Sequence, residues 1–277
     1  MSSQSGYYRS DNAEVYRSNA SFVYSSAYTA AVLQLLDPQV GDRVVDLGCG
    51  SGELTLQVAK AIGPTGSVLG IDASQDMIDK ANFLLEASNS PLENLTFAVQ
   101  DGHATPPSQQ HSASDKVFSN AALHWMKRSP SLVLSNVFTM LKPGGRFAAE
   151  LGGYMNCVGV RGHLHVALRK RGVDPEEFDP WFFPSVEEYT ALLEGVGFTV
   201  DRCELVPRMT PLPKQSGLKG WLKTFAGPFL NAIESEEERV QVIQEVEEAV
   251  TPDCYNASSG TWCVMYVRLR VLAHKPE

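Results

Sequence analysis

The 277-residue sequence contains only five cysteines, at positions 49, 157, 203, 254 and 263, an odd number with no Cys-x-x-Cys pair. That spacing excludes a disulfide framework and offers no structural zinc motif, so a reducing, cytoplasmic setting is expected and no metal site is assigned. No apolar run approaches the roughly 18 residues that a membrane-crossing helix needs. The polar stretch Met1–Asn12 shows no secretory h-region. Basic residues are scarce too: 23 Lys and Arg stand against 32 Asp and Glu, a net charge of −9. This balance argues against a face that wraps nucleic-acid phosphates and against a polybasic membrane anchor. Apolar residues, at 43% of the chain, are plentiful enough to exclude general disorder and to build one large domain or two small ones.

From Arg43 the chain alternates short apolar runs with amphipathic stretches. Arg43–Gly48 reads as a buried strand closing on glycine. Glu53–Ile62 has apolar residues at 54, 56, 58, 59 and 62, a helical spacing stopped by Gly63-Pro64-Thr65-Gly66. Ser67–Asp72 is a second strand. Ser74 then caps a helix whose stripe is Met77, Ile78, Ala81, Leu84 and Leu85. Further strands are expected at Leu95–Val99, Asp115–Ser119 and Arg146–Leu151, the last after a helix over Pro130–Leu141 and the turn Lys142-Pro143-Gly144-Gly145. Phe198–Val206 and Trp262–Ala273 bring the expected count to seven strands. Repeated strand–helix–strand units imply right-handed crossovers. The expected fold is therefore α/β, a doubly wound, mostly parallel seven-stranded sheet with helices on both faces. Its ligand crevice lies beyond the carboxyl ends of the strands.

After residue 153 the rhythm changes. Helices are expected over Asn156–Arg171, over Ser185–Val196 with a Ser185/Glu188 capping box, and around Lys219–Ile233 and Glu236–Thr251. The expected organisation is an N-terminal helical cap segment, 1–40, and a main domain, 41–277, interrupted by cap insertions at about 153–184 and 208–260.

The constellation that carries chemistry is Asp46-Leu-Gly-Cys-Gly-Ser-Gly52 followed by Asp72 at the tip of the next strand. Glycines allow a ligand to approach the backbone, the following helix presents free N–H groups, and an acid at the second strand tip can accept both hydroxyls of a ribose. A dinucleotide site would have a glycine where Glu53 stands, and a carboxylate in the first helical turn is poor company for pyrophosphate. A Walker loop would need Gly-Lys-Ser/Thr, which is absent. Cys49 is expected to be a small packed residue, and Asp46 to fix the loop through backbone hydrogen bonds.

The loop resembles the S-adenosylmethionine loop of class I methyltransferases. The resemblance continues through Phe97-Ala-Val-Gln-Asp-Gly-His103, Phe118-Ser-Asn-Ala-Ala-Leu-His-Trp125 and Leu141-Lys-Pro-Gly-Gly-Arg146. Ser119–Trp125 and Glu150-Leu-Gly-Gly153 are similar to the trans-aconitate methyltransferase group. The resemblance implies S-adenosylmethionine as methyl donor and S-adenosylhomocysteine as product. It implies cofactor contacts at Asp46, Gly48, Gly50, Asp72, Ala73, Met77, Asp101, Gly102 and Asn120, with Asp101 on the adenine amino group and Asn120 near the methionine moiety.

The implied reaction is methyl transfer to oxygen or sulfur of a small molecule bearing a carboxylate, hydroxyl or thiol. A thiol-containing secondary metabolite is one alternative acceptor; a non-catalytic binding protein of the same fold and a nicotinamide oxidoreductase are the competing classes. His124 is the candidate catalytic side chain. Tyr16, Phe22, Tyr24, His124, Trp221 and Phe225 are the expected acceptor pocket, on the ground that these segments are rich in aromatics. Arg161, His163, His165 and Arg169 are candidate clamps for a carboxylate. The sequence gives no oligomeric state.

Overall fold

The computed structural model describes residues 26–88 and 92–277. The first helix among the described residues, α1, is Ser26–Leu36, and then β1 (Arg43–Leu47), α2 (Glu53–Ile62), β2 (Ser67–Asp72), α3 (Gln75–Glu86) and β3 (Leu95–Val99) alternate. β4 (Ser114–Asn120), α4 (Pro130–Met140) and β5 (Leu141–Gly152) complete the repeating part. The remainder is α5 (Val160–Arg169), α6 (Pro175–Phe178), α7 (Val186–Val196), β6 (Thr199–Pro211), α8 (Gly217–Phe225), α9 (Gly227–Asn231), α10 (Glu236–Cys254), β7 (Tyr255–Asn256) and β8 (Thr261–His274).

The strand order β3-β2-β1-β4-β5-β8-β6 gives the expected seven-stranded sheet, to which the two-residue β7 adds only a pairing with β8. β1 pairs in parallel with β2 and β4, β2 with β3, and β4 with β5, whereas β8 runs antiparallel to β5. The order reverses between β1 and β4, the switch point where such a sheet opens a crevice at its carboxyl edge.

The central strands β1, β4 and β5 are largely buried, as continuous apolar runs require, whereas β6 at the sheet edge is mostly half-buried or exposed. One core gathers Val32 and Leu36 of α1, Leu54, Val58 and Ile62 of α2, and Val44, Val68 and Phe118 of the sheet. The other gathers Val133, Leu134 and Val137 of α4, Tyr189 and Leu193 of α7, and Phe147, Leu151 and Val271. Each such fully buried side chain contributes about 1.5–3 kcal/mol of transfer free energy.

Several boundaries differ from expectation for local reasons. The helix expected from Asn156 begins only at Val160, because Met155 and Cys157 stand at φ +64° and +53° and Gly159 at +85°, outside the right-handed helical region. The stretch Lys219–Ile233 is two helices, α9 restarting at Gly227 with Pro228 in its first turn. Ser185 Oγ does accept the Glu188 N–H at 3.2 Å, but the carboxylate that returns to it is that of Glu187, at 2.7 Å. Lys142–Gly145 interrupts the register of β5 with β4, and Gly144 N–H donates to the Lys275 carbonyl.

The chain forms two compact units. One holds the described residues up to Tyr154, with 181–206 and 268–277; the other holds 155–180 and 207–267. In the second, α5 packs on α10, and the Arg171 guanidinium holds both oxygens of Glu245 at 2.8 and 3.2 Å. No helix among the described residues is long and apolar enough to cross a membrane.

Candidate active site

Four strand tips supply the candidate site. After β1, the N–H groups of Gly48 and Cys49 both donate to the Ile71 carbonyl, at 2.8 and 3.0 Å, and so hold the loop against the end of β2. Gly48 has φ +76°, and a Cβ there would lie 2.3 Å from the Ala122 methyl, so the loop and the segment after β4 touch only because this residue is glycine. Gly52, also left-handed, opens α2, and Ser51 Oγ donates to Glu53 Oε2 at 2.7 Å in the first turn. The Cys49 thiol is buried and its pKa is driven far up by burial and by Asp46 and Asp72, which leaves it inert as a nucleophile.

The acidic residues have distinct duties. Asp46 is buried, and its Oδ2 accepts the Thr55 hydroxyl at 2.7 Å. The contact expected of it was with loop backbone; the bond instead ties β1 to α2 through a side chain. Burial, opposed by that hydrogen bond and reinforced by the charge of Asp72, pushes the Asp46 pKa up to about 7. Asp72 Oδ2 accepts the Gly50 N–H at 3.0 Å and Oδ1 accepts the Ser74 N–H at 2.9 Å, and burial raises its pKa against the pull of these bonds. Ala73 is exposed beside it, and Met77 is buried one turn into α3 with its N–H on Ser74 Oγ.

Beyond β3, Asp101 Oδ1 accepts both the N–H and the Nδ1 of His103, at 2.9 and 2.8 Å, while Oδ2 accepts Arg128 Nη2 at 3.1 Å. Despite partial burial, those bonds and charges hold the Asp101 pKa below the usual carboxylate range. Gly102 is buried against Met126 and Leu47, and its carbonyl accepts Asn136 Nδ2, which also reaches the Ala104 carbonyl, each at 2.9 Å. Asn120, half-buried, ends β4 opposite Glu150, and Ala121 turns the chain there at φ +57° with its N–H on the Glu150 carbonyl.

His124 follows in a short 3-10 turn and is buried. Its Nδ1 accepts the Gly152 N–H at 3.2 Å, and its carbonyl accepts the Phe182 N–H. Burial, and the charge of Arg268 after it, keep its pKa well below the usual histidine range. Trp125 and Phe183 lie 5.5 and 5.8 Å from its ring, and Trp181 stacks on Phe183.

Gly48, Gly50, Asp72, Asp101 and Asn120 thus stand at neighbouring strand ends of one sheet. Tyr16, Phe22 and Tyr24 lie outside the described residues. Trp221 and Phe225 belong to the second unit, where both are buried, their rings 5.3 Å apart, and Trp221 Nε1 donates to the Tyr266 hydroxyl at 2.5 Å. The candidate clamps there are taken up locally. Arg161 Nε and His165 Nε2 both meet Asp179 Oδ2, at 2.6 and 2.8 Å, Arg169 faces Glu176 at 3.7 Å, and His163 Nδ1 contacts the Gly159 carbonyl. His165, Glu176 and Asp179 have the spacing of metal ligands, but with two guanidinium groups among them the cluster is an ion-pair network.

Sequence reasoning missed Thr55, Asn136, Arg128 and Gly152. Thr55 and Asn136 did carry a signal: each is a buried polar residue on the apolar side of its helix. Arg128 and Gly152 act across 27 and 28 positions, with nothing local to mark them.

The donor set defines what fits. Two carboxylates and a carboxamide surround a loop without a basic side chain, and Ala122 leaves no room for a side chain at Gly48. Such a rim accepts hydroxyl and amino groups and suits a positive centre, and the guanidinium beside it, Arg128, is engaged by Asp101.

Comparison with known proteins agrees. A family model described as a methyltransferase domain matches residues 38–158. A Schizosaccharomyces pombe protein described as an uncharacterized methyltransferase is 37% identical over 273 residues, covering 95% of this chain and 97% of its own. The trans-aconitate 2-methyltransferase of Deinococcus radiodurans is 32% identical over 212 residues, covering 69% and 72%. Among solved structures, a Bacillus halodurans putative methyltransferase shares the fold with a TM-score of 0.61 at 15% identity, covering 91% of this chain and all of that one. Phosphoethanolamine N-methyltransferase 2 of Haemonchus contortus in complex with S-adenosyl-L-methionine does so with 0.58 at 16%, covering 96% and 57%.

Proposed function

Because the chain belongs to the class I S-adenosylmethionine-dependent methyltransferases, we propose that it methylates a small molecule at oxygen or sulfur. The observation that carries this reading is the shared rim of Asp72, Asp101 and Asn120 around the Gly48–Gly52 loop. When bound, S-adenosylmethionine supplies a methyl group already activated by a positive sulfur.

The chain's own residues then have to bind, orient and keep water out. In this reading Asp72 accepts from the ribose hydroxyls while keeping its bond to Gly50. Asp101 accepts from the adenine amino group, with Gly102 and Met77 against the nucleoside, and Asp46 acts from behind through Thr55. Gly48, Gly50 and Ala73 give backbone access, and Asn120 attends the methionine end. For the acceptor, His124 is the candidate beside the rim; Tyr16, Phe22, Tyr24, Trp221 and Phe225 are expectations drawn from the sequence.

The name of the Deinococcus relative supports an oxygen acceptor on a short polycarboxylate. A thiol-bearing metabolite is the second reading, favoured by the ring cluster of Trp125, Trp181 and Phe183 beside His124, which suits an apolar body. Turnover with isotopically labelled methyl donor against a metabolite extract tests both. A product heavier by one CH2 identifies acceptor and atom; transfer only to protein or nucleic acid would refute the small-molecule reading.

A further inference from the structure

His124 is a buried titratable side chain next to the rim, and its ring accepts a hydrogen bond from the backbone N–H of Gly152. It lies two positions beyond Ala122, whose methyl packs on Gly48, so the glycine loop and the His124 turn are held together. Its surroundings are unusual for a base. The Gly152 N–H points at Nδ1, so Nδ1 serves as acceptor and a neutral ring must carry its single proton on Nε2. Gly152 sits opposite Arg268 in the β5–β8 ladder, and Arg268 is buried. The charged groups facing this corner are Arg268 and Arg270 from β8 and Glu150 from β5, with Arg270 Nε on Glu150 Oε2 at 2.8 Å and Arg268 Nε 4.0 Å from Oε1. The 181–183 segment and Trp125 contribute rings and no charge. The ring is therefore hemmed in on the side where protonation would place a second proton, and Arg268 opposes an imidazolium.

We propose that His124 serves the site as a hydrogen-bond donor through Nε2 and takes no proton from the acceptor, a role fixed by the Gly152 N–H. The inference rests on the methyl-transfer reading for its functional meaning, and the tautomer itself does not. The consequence for substrate choice is direct. With His124 taking no proton, the nucleophilic atom that suits it arrives already without its proton; its electron pair forms the new bond to the methyl carbon, sulfur keeps the pair of the bond that breaks, and no proton is left over. Groups that keep their proton at neutral pH, such as simple alcohols and alkylammonium groups, find no base in His124.

The test is nitrogen-detected NMR of protein labelled at its six histidines, with and without S-adenosylhomocysteine, between about pH 5.5 and 8.5, where an unperturbed histidine titrates. The His124 signal is assigned by its loss in His124→Gln. The expected result is an unprotonated Nδ1 and a protonated Nε2 throughout that range. A Nδ1–H tautomer, or titration to the imidazolium within it, overturns the proposal. Should His124→Gln fail to fold, replacing the other five histidines one at a time assigns the signal by elimination.

In turnover with the acceptor found by labelled transfer, His124→Ala is expected to lower kcat about 10–100-fold, the effect of one lost donor, and His124→Gln, which keeps an N–H at that reach, to recover most of it. Equal loss in both variants, with S-adenosylhomocysteine affinity kept, would assign a base after all. Failure of wild-type protein to bind S-adenosylhomocysteine would sink the methyl-transfer reading and leave the tautomer result standing.

Discussion

The Asp72 carboxylate accepts the backbone N–H of Gly50 at 3.0 Å, a bond that joins two strand tips across 22 positions of sequence. One carboxylate thereby shapes the glycine loop and faces the crevice. Replacing Asp72 by Asn removes the charge and one acceptor while keeping the shape. Hydrogen bonds to charged groups contribute about 1.5–3 kcal/mol each, so Asp72→Asn should weaken S-adenosylhomocysteine binding about 10–100-fold and Asp72→Ala more. Calorimetric titration of each variant measures this; unchanged affinity would assign Asp72 to the loop alone.

Gly48 makes a steric prediction. Gly48→Ala puts a methyl 2.3 Å from that of Ala122 at a φ of +76°. The clash and the left-handed backbone together should cost about 2–4 kcal/mol in urea unfolding. Adding Ala122→Gly should recover the steric part and leave about 1–2 kcal/mol of backbone strain. No recovery in the double variant would show that the loop and the segment after β4 are not in contact.

Asp46 makes a pH prediction. Burial raises its folded pKa to about 7, well above the value of a solvated carboxylate. Between those two values the folded state holds a proton that the unfolded chain has lost, so stability falls as pH rises from about 4 to about 7 and levels off above. The full effect is on the order of 4 kcal/mol. Asp46→Asn, whose amide oxygen can still accept from Thr55, should flatten that slope and be the more stable protein at pH 8. Parallel stability curves for the two proteins between pH 5 and 8 would rule this out.

Asn136 links α4 to the loop after β3. Asn136→Ala frees two carbonyls, those of Gly102 and Ala104, and should cost about 2–4 kcal/mol of stability. Because the loop carries Asp101, the variant should also bind S-adenosylhomocysteine less tightly while Asp72 is untouched. Lost stability with unchanged affinity would make Asn136 purely structural.

The sequence spoke clearly wherever function constrains the main chain. The glycines at 48, 50 and 52 and the acid at 72 sit at strand ends that hydrophobic runs already mark, so the loop, the strands that flank it and the donor class could be read together. It was silent where a side chain finds its partner across the sheet. Arg128 on Asp101 and Gly152 on His124 depend on which strands become neighbours, and no local pattern encodes that. Left-handed Met155 and Cys157 were illegible for the opposite reason: neither residue type favours that backbone, so packing must impose it. The Asp46 reading went half right. The residue does brace the loop region, but through Thr55, whose place on the buried side of α2 was visible and unused.

Calorimetric titration of S-adenosylhomocysteine into the purified chain, with NAD as control, tests the central claim most directly. The account predicts saturable binding at one site per chain, weakened at least tenfold by Asp72→Ala, and no heat from the dinucleotide. Saturable dinucleotide binding with no response to the adenosyl ligand would contradict it.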